Sequence, residues 1–148
     1  MHLKTKSATI LMAEDDPDDR LLISDAFKEV RFSDNLRFVE DGEELLDYLR
    51  QKNKYHSLET APRPGLILLD LNMPRMDGRQ ALLEIKSDPN FQQIPVVVLS
   101  TSKAKEDILE CYAIGASSYI SKPALFEDLV GIVRNLANYW LEMVELPL

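Results

Sequence analysis

The stretch LILLDLNMP at residues 66–74 decides the fold class, because four aliphatic residues run without interruption into the aspartate Asp70. Runs of the same character lie at residues 9–13 (TILMA) and 96–99 (VVVL). Short, continuously apolar runs are typical of strands that are buried on both faces of a parallel sheet. The sequence therefore predicts that these three segments form the central strands of such a sheet.

Helical patterns alternate with these runs and with two weaker strand candidates at residues 36–39 and 118–121. Asp16 and Pro17 supply an N-cap followed by a proline at the first helical position. The apolar residues predicted on one face of that helix are Leu21, Leu22, Ala26, Phe27 and Val30. Further helices are indicated around residues 45–49, 81–85 and 108–112 and from Phe126 onward. Five strands and five helices in strict alternation predict an α/β fold, a doubly wound five-stranded parallel sheet of the (βα)5 type.

Composition and charge exclude several classes of protein. The 148 residues carry 17 basic and 25 acidic side chains, a formal charge of −8 that disfavours general binding to a nucleic-acid backbone. No apolar stretch approaches the roughly 20 residues that span a bilayer, and the polar residues 1–7 do not resemble a signal peptide. One cysteine cannot form an internal disulfide, which fits a reducing compartment. We therefore expect a cytoplasmic protein with no membrane or nucleic-acid partner.

Acidic and polar side chains end the predicted strands. Glu14 and Asp15 follow the first strand, Asp70 the third, Ser100 the fourth and Lys122 the fifth. In folds of this class, sites form beyond the carboxyl ends of the strands, and the first and third strands are expected to be neighbours. The spacing therefore predicts one pocket that contains Glu14, Asp15 and Asp70.

Several carboxylates in one pocket require a compensating group. Two unit charges about 4 Å apart repel by roughly 4 kcal/mol at an effective dielectric constant of 20, so a cation, a raised pKa or a partner such as Lys122 is needed. All-oxygen ligands without histidine or cysteine suit Mg²⁺, and a Mg²⁺ pocket with Asp70 as nucleophile indicates phosphoryl chemistry. Asp16 is expected to be a helix cap, and the pairs at residues 41–42 and 77–78 are expected to be ordinary Asp-Gly turns.

These residues resemble the receiver domain of two-component response regulators, a flavodoxin-like fold. The resemblance runs from about Ala8 to Leu136, and we define residues 8–136 as the expected receiver domain. Residues 68–78 (LLDLNMPRMDG) and 115–123 (GASSYISKP) match the two most characteristic segments of the family.

The resemblance implies a role for each site residue. Asp70 would accept the phosphoryl group from a histidine kinase, and Lys122 and Ser100 would contact that group. Magnesium would be bound by Asp15 and Asp70 directly, by Glu14 through water and by the backbone carbonyl of Asn72. Tyr119 would be the aromatic switch residue whose rotamer follows the shift of Ser100. The family is a self-catalysed phosphorylation switch with autodephosphorylation rather than an enzyme.

One position departs from the common family pattern in a way that predicts altered kinetics. Thr101 stands where the family often has alanine, so access to the phosphoryl group is expected to be narrower. We therefore expect the phosphorylated state to be hydrolysed more slowly than in a chain with alanine at this position.

The carboxyl-terminal residues 137–148 are expected to form a helical extension. A helix from residue 126 to 144 would be roughly 28 Å long, about two turns longer than a five-residue strand of about 17 Å. The residues predicted to form a homodimer contact there are Tyr139, Trp140, Met143 and Val144; folding back onto the same domain is the alternative. Together with the long loop at residues 51–65, whose role stays open, this tail resembles the stand-alone, dimeric receivers paired with bacterial phytochrome kinases.

Two other functions compete with a phosphorylation switch. One is a degenerate receiver that acts only as a binding module, against which the intact Asp70, Asp15 and Lys122 argue. The other is a haloacid-dehalogenase-type phosphatase with an aspartyl nucleophile. That class needs a second acid two positions after the nucleophile, and this chain has Asn72 there.

Overall fold

The computed structural model of the chain describes residues 8–57 and 59–148. Within them, one sheet contains the strands Thr9–Ala13 (β1), Leu36–Val39 (β2), Pro64–Leu69 (β3), Val96–Ser100 (β4) and Ser118–Ser121 (β5). All neighbouring strands are parallel, in the order β2-β1-β3-β4-β5. The predicted parallel sheet is confirmed, and β1 lies next to β3 as expected. Residues 1–7, which we predict not to be a signal peptide, lie outside the described part of the chain.

Among the described residues, five α-helices connect and follow the strands: Pro17–Glu29 (α1), Gly42–Arg50 (α2), Gly78–Ser87 (α3), Lys105–Ile114 (α4) and Phe126–Ala137 (α5). Short 3₁₀ helices at Ser33–Asn35 and Asn53–Tyr55 lie in the connections before β2 and β3. In the described part of the chain, no helix is long and apolar enough to span a membrane.

Aspartates begin three of these helices. The side chain of Asp16 accepts a hydrogen bond from the backbone of Asp18, as the predicted cap should. Asp41 and Asp77 likewise accept hydrogen bonds from Glu44 N and Gln80 N. The expectation that the two Asp-Gly pairs are simple turns is therefore incomplete, because each aspartate caps a helix.

The core lies in two layers, one on each face of the sheet. Alternate strand residues point to opposite faces: Ile10, Met12 and Leu68 belong to the layer that also contains Phe27 of α1, while residues such as Leu11, Ile67 and Leu69 belong to the other. Helices α1 and α5 cover the first face, and α2, α3 and α4 cover the second. This division explains why residues 10–13, 66–69 and 96–99, which form most of β1, β3 and β4, are apolar without interruption.

Helix α1 buries a narrower stripe than the sequence pattern predicts. Ile23, Ala26 and Phe27 are buried, as the spacing of one helical face requires. Leu21 and Leu22, predicted on the buried face, are 60% and 45% exposed. That part of the prediction is wrong, because residues 21 and 22 lie two positions and one position before Ile23 and so are rotated away from its face.

The carboxyl-terminal segment continues α5 with a change of winding. Residues Asn138–Met143 form a π-helical turn, and Val144 is already extended, so the helix ends one residue earlier than predicted. Leu141 is fully buried, and Leu146 and Trp140 pack against the core layer of α1 and α5. A Cβ on Gly65 in β3 would lie 2.9 Å from Leu146 and 3.3 Å from Leu148. The segment thus folds partly onto its own domain.

Candidate functional site

Three carboxyl groups meet at the carboxyl ends of β1 and β3. One oxygen from each of Glu14, Asp15 and Asp70 lies within 4.8 Å of the other two. Glu14 and Asp70 are buried, and Asp15 is partly exposed. The backbone Asp70 N donates to Ala13 O at 3.2 Å, which ties the end of β3 to the end of β1. The parallel pairing of these strands is therefore what brings the acids together.

Lys122, which follows β5, supplies a positive charge to this cluster. Its Nζ lies 2.5 Å from Glu14 Oε1, 3.2 Å from Asp19 Oδ2 and 3.8 Å from Asp70 Oδ1. The backbone N–H of Lys122 donates to Ser100 O at 2.8 Å and so fixes the start of its loop. The structure thus places Lys122 beside the acids, where its nearest partner is Glu14 rather than Asp70.

The buried acids hold their protons more tightly than exposed ones do. Burial raises the pKa of Glu14 to about 7, although its contact with Lys122 favours the charged form. Burial also raises the pKa of Asp70, with the charge of Asp15 acting in the same direction. Lys122 and the backbone N–H groups of Leu71 and Asn72 oppose that rise at Asp70. The pKa of Lys122 is itself raised because its acidic neighbours outweigh its burial.

The geometry of the acids fits a divalent cation. A single ion can contact three oxygens that lie within 4.8 Å of one another, since Mg²⁺ binds oxygen at about 2.1 Å and Ca²⁺ at about 2.3–2.6 Å. The cluster offers carboxylate oxygens, which are ligands that suit hard cations better than softer transition metals. A bound cation would also favour the charged forms of Glu14 and Asp70, whose pKa values are raised mainly by burial.

Asn72 lies in the β3–α3 loop, which we define as residues 71–77. Its side chain is exposed, while its backbone N–H faces the carboxyl group of Asp70. The loop is closed at its ends by a 2.7 Å hydrogen bond from Gly78 N to Leu71 O. A Cβ on Gly78 would lie 2.2 Å from Asp70 O, so the close return of the chain needs glycine there.

The two predicted switch residues, Ser100 and Tyr119, meet at Ser102 in the loop that follows β4. The buried Ser100 accepts a 3.2 Å hydrogen bond at Oγ from Ser102 N. The Tyr119 hydroxyl donates to Ser102 O at 2.8 Å. Ser102 Oγ in turn donates to Asp107 Oδ2 at 2.6 Å, and Arg79 Nη2 donates to Asp107 Oδ1 at 2.8 Å. A displacement of Ser100 would therefore be transmitted to Tyr119 through a single intervening residue, Ser102.

Sequence reasoning missed two residues that support the acidic cluster. Asp19, on the first turn of α1, is the second carboxylate beside Lys122. Arg20 Nη1 donates to the backbone carbonyls of Glu14 and Asp15 at 2.8 and 2.9 Å. The only sequence signal for either residue was its place in the first helical turn after Asp16, which did not show the direction of its side chain.

The residues predicted to form a dimer contact all lie beyond α5, in the π-helical turn Asn138–Met143 and at Val144 directly after it. Tyr139 and Met143 are 48% and 71% exposed, whereas Trp140 and Val144 are partly buried. Tyr139 packs edge-on against Trp140, with ring centroids 5.0 Å apart. These residues are remote from the acidic cluster, so they do not contribute to its chemistry.

Comparison with known proteins connects this geometry to one family. Residues 10–134 match the family described as response regulator receiver domain. Response regulator Rcp1 of Synechocystis sp. is 39% identical over 138 residues, which make up 93% of this chain and 92% of Rcp1. The structure of Mn²⁺-bound Rcp1 has a TM-score of 0.84 at 38% identity, covering 95% of this chain and 99% of that one.

Two further solved structures are similar over almost the whole chain. The phosphorylated cyanobacterial phytochrome response regulator RcpA has a TM-score of 0.88 at 42% identity. Response regulator RPA3017, in red light signalling of R. palustris, has a TM-score of 0.89 at 40% identity. Each comparison covers 95% of this chain and 99% of the other. The acidic cluster and the Mn²⁺-bound relative together support a divalent metal site at Glu14, Asp15 and Asp70.

Proposed function

This chain belongs to the response regulator receiver domain family, and we propose that it accepts a phosphoryl group from a histidine kinase on Asp70. As a response regulator, it is a signalling switch of two-component systems. The proposal rests on one observation: the carboxyl group of Asp70 lies within 4.8 Å of two other acids and 3.8 Å from the Lys122 ammonium. This arrangement combines a nucleophile, a cation site and a fixed positive charge at the end of one sheet.

The proposed reaction transfers a phosphoryl group from a histidine nitrogen of the kinase to a carboxylate oxygen of Asp70. A carboxylate oxygen of Asp70 attacks the phosphorus of the kinase's phosphohistidine, and the P–O bond forms as the P–N bond breaks. The electron pair of the broken bond stays on the imidazole nitrogen. Lys122 offsets the charge of the transferred group, and Ser100 donates a hydrogen bond to it. A water molecule later hydrolyses the acyl phosphate, which resets the switch without a separate enzyme.

We propose Mg²⁺ as the ion that supports this transfer. The carboxylates of Asp15 and Asp70 would ligate it directly, Glu14 through water, and Asn72 through its backbone carbonyl. The bound ion would supply positive charge against the charge spread over the transferring group. The all-oxygen donor set suits Mg²⁺, which keeps several water ligands and accepts phosphate oxygens.

Exposed apolar side chains beside the cluster support a protein donor of the phosphoryl group. Leu22 and Pro123 line a small cavity together with Lys122 and Asp19. Leu125 and Phe126, just after Pro123, are 57% and 40% exposed. Apolar groups concentrated around the entrance of a charged pocket are typical of protein contacts. We therefore propose that the kinase domain carrying the phosphohistidine docks on α1 and the β5–α5 loop.

Relatives connected with phytochromes suggest the identity of the kinase. RcpA is a phytochrome response regulator and RPA3017 belongs to red light signalling, and both match this chain at 40% identity or more. We propose a phytochrome histidine kinase as the upstream partner. We also propose a cytosolic location, which cell fractionation would test.

The signal would leave the domain through protein contacts made by a homodimer. We propose that residues 8–136 form the receiver domain and that residues 137–148 contribute the dimer contact, with Tyr139 and Met143 as its exposed members. The burial of Leu141 and Leu146 against the domain supports a rigid platform for these side chains.

Phosphotransfer with a matched variant tests the central proposal. The purified chain is incubated with Mg²⁺ and acetyl phosphate, and separately with phosphorylated histidine kinases that include a phytochrome kinase. We expect a mass increase of one phosphoryl group on the wild type and none on Asp70→Asn, which keeps the size of the side chain. EDTA should prevent the labelling.

Three results would contradict the proposal. A wild-type chain that stays unlabelled under all donors would favour the binding-module alternative, in which the domain recognises a partner without chemistry. Labelling that persists in Asp70→Asn would assign the acceptor to another residue. Turnover of a small phosphate ester, measured in the same samples, would favour the phosphatase alternative.

A further inference from the structure

A buried aspartate outside the acidic cluster links two loops at the same edge of the sheet. Asp41, at the end of β2, is only 3% exposed. Its Oδ1 accepts a 2.8 Å hydrogen bond from Glu44 N and so caps α2. Its Oδ2 accepts from the guanidinium of Arg75, with Nε at 2.9 Å. One carboxyl group therefore holds a helix end with one oxygen and the β3–α3 loop with the other.

Backbone contacts beside this ion pair bring the two segments into direct contact. Gly42 N donates to Met76 O at 3.1 Å. A Cβ on Gly42 would lie only 2.4 Å from that same oxygen, so no side chain fits between them. Arg75 itself has a φ of 63°, a left-handed conformation that non-glycine residues rarely adopt. The loop is thus held in a disfavoured conformation by contacts with Asp41 and Gly42.

The other end of the loop reaches the phosphoryl-acceptor site. Gly78 N is bonded to Leu71 O, and the backbone N–H groups of Leu71 and Asn72 face the Asp70 carboxyl group. Only seven residues separate Asp70 from Gly78. A loop this short with both ends tied cannot shift at Arg75 without changing the backbone around Asn72.

We propose that the Asp41–Arg75 pair is a positioning device for the divalent cation site. This inference rests on the proposed function, because it assumes that the cation binds beside Asp70 and Asn72. The Arg75 side of the pair is 64% exposed, while Asp41 is buried. Solvent screening of the exposed guanidinium limits what the pair contributes to global stability. The main effect of the pair is therefore local, on the conformation of the β3–α3 loop and on the affinity of the site for its ion.

The test measures cation affinity rather than phosphorylation. Mn²⁺ binding is followed through the electron paramagnetic resonance signal of the free ion, and Mg²⁺ binding through its competition with Mn²⁺. Arg75→Ala and Asp41→Asn should each weaken Mn²⁺ binding by about tenfold, the lower end of the range for groups that orient metal ligands. Asn at position 41 still accepts the bond from Glu44 N, so α2 keeps its cap.

Three further variants separate positioning from other effects. Arg75→Lys keeps the charge that faces Asp41 and should recover most of the affinity. Glu43→Gln removes the exposed partner that lies 3.2 Å from the same guanidinium, and it should bind Mn²⁺ like the wild type. The double variant Arg75→Ala/Asp41→Asn should bind Mn²⁺ no more weakly than the weaker-binding single variant, because both changes remove the same interaction.

Mn²⁺ binding is measured below the unfolding temperature of each metal-free variant, as judged by circular dichroism, so that differences in global stability do not affect the affinities. Single-variant affinities within twofold of the wild type, or losses that add in the double variant, would overturn the inference. If Asp41→Asn fails to fold, the comparison of Arg75→Ala with Arg75→Lys decides. A wild type that binds neither ion would instead remove the metal site of the proposed function, and the positioning role with it.

Discussion

At the residue scale, Glu14 combines a buried carboxyl group with two hydrogen-bonding partners of different kinds. Its Oε1 faces Lys122 and its Oε2 accepts from Asp16 N at 3.2 Å. Even with these contacts, burial raises its pKa to about 7. In the metal-free protein, a large share of Glu14 is therefore protonated at neutral pH, and cation binding must displace that proton.

This raised pKa predicts how the stability of the metal-free protein depends on pH. The pKa of Glu14 is about 7 in the folded state and 4.5 in an unfolded chain, so the folded state binds more protons between these values. Its contribution to stability is full below pH 4.5 and is lost as the pH rises toward 7. The titration of Glu14 should therefore lower the melting temperature of the protein in EDTA as the pH rises from 4.5 to 7. Scanning calorimetry measures this change.

The matched variant is Glu14→Gln, which cannot titrate. Its melting temperature in EDTA should depend less on pH between 4.5 and 7 than that of the wild type, and Mg²⁺ should raise the wild-type value most above pH 7. Parallel curves for the two proteins would show that Glu14 titrates at an ordinary pKa.

Thr101 is an exposed residue that follows the buried Ser100 at the end of β4. We expect the methyl and hydroxyl groups at this position to narrow the approach of water to an acyl phosphate on Asp70. Thr101→Ala should therefore lose its phosphoryl group about threefold faster, a change of less than about 1 kcal/mol in the barrier. The decay of labelled protein after removal of acetyl phosphate measures this rate. An unchanged half-life would contradict the prediction.

Residue-level prediction succeeded where backbone topology alone places a side chain. Glu14, Asp15, Asp70 and Lys122 each follow a strand, and the carboxyl ends of parallel strands meet at one edge, so the cluster was predictable. The roles of residues such as Arg20 and Arg75 were not, because they depend on where long side chains reach. The residue type at position 75 does not indicate a left-handed conformation, since glycine or asparagine is the usual residue in that conformation.

At the element scale, the loop between β4 and α4 connects the site to the helices of one face. Ser102 touches Ser100 and Tyr119 through its backbone and Asp107 through its hydroxyl. The contacts of Ser102 and Arg79 lower the pKa of Asp107, which keeps this carboxylate charged. The loop is therefore fastened to both α4 and α3, and its movement requires these bonds to rearrange.

Removal of the Ser102 hydroxyl should loosen this loop while keeping the backbone contacts of Ser102 with Ser100 and Tyr119. The hydroxyl's bonds to Asp107 Oδ2 and from Ala104 N are both lost. In Ser102→Ala, amide hydrogens of residues 101–105 should exchange faster, because the loop loses its charge-assisted bond to Asp107. Hydrogen–deuterium exchange with mass spectrometry measures the change. Ser117→Ala, at an exposed serine before β5, serves as the control. Equal exchange of the loop in all three proteins would show that Asp107 does not restrain it.

Strand boundaries were more predictable than helix faces. The predicted bounds of β1, β2 and β5 agree with the structure, because their apolar runs stop at charged or turn residues. Leu21 and Leu22 were assigned to the buried face of α1 since leucine usually marks a core position. Both are exposed, and Leu22 lies beside Lys122 and Pro123. This placement fits the proposed kinase-docking surface, which a single-chain pattern does not distinguish from a core.

At the scale of the whole molecule, the carboxyl-terminal segment carries exposed apolar side chains away from the site. Tyr139 and Trp140 line a groove with Ile120 and Ile132 at the free edge of β5. The wider π-helical turn lets Leu141 point inward while Tyr139 and Met143 point outward. The sequence predicted apolar residues beyond the sheet but did not predict which would fold back.

Truncation of Trp140 should weaken the proposed homodimer. Truncation of an aromatic side chain in a protein interface commonly costs more than 1 kcal/mol of binding free energy. Trp140→Ala should therefore raise the dimer dissociation constant by about tenfold or more. Sedimentation velocity over a range of concentrations measures it. Leu83→Ala, at a leucine 52% exposed on α3, is the control. A monomeric wild type, or a dimer unaffected by Trp140→Ala, would contradict the proposal.

The packing of Leu146 and Leu148 against Gly65 has a practical consequence. Ala8 lies against the same glycine, at 3.3 Å from the position of a Cβ there. The first and last described residues of the chain are thus adjacent, and both lie at the amino end of the sheet, opposite Asp70. A short peptide could therefore join Ala8 to Leu148, and circularly permuted proteins opened in a distant surface loop should keep the edge of the sheet that carries Asp70 intact.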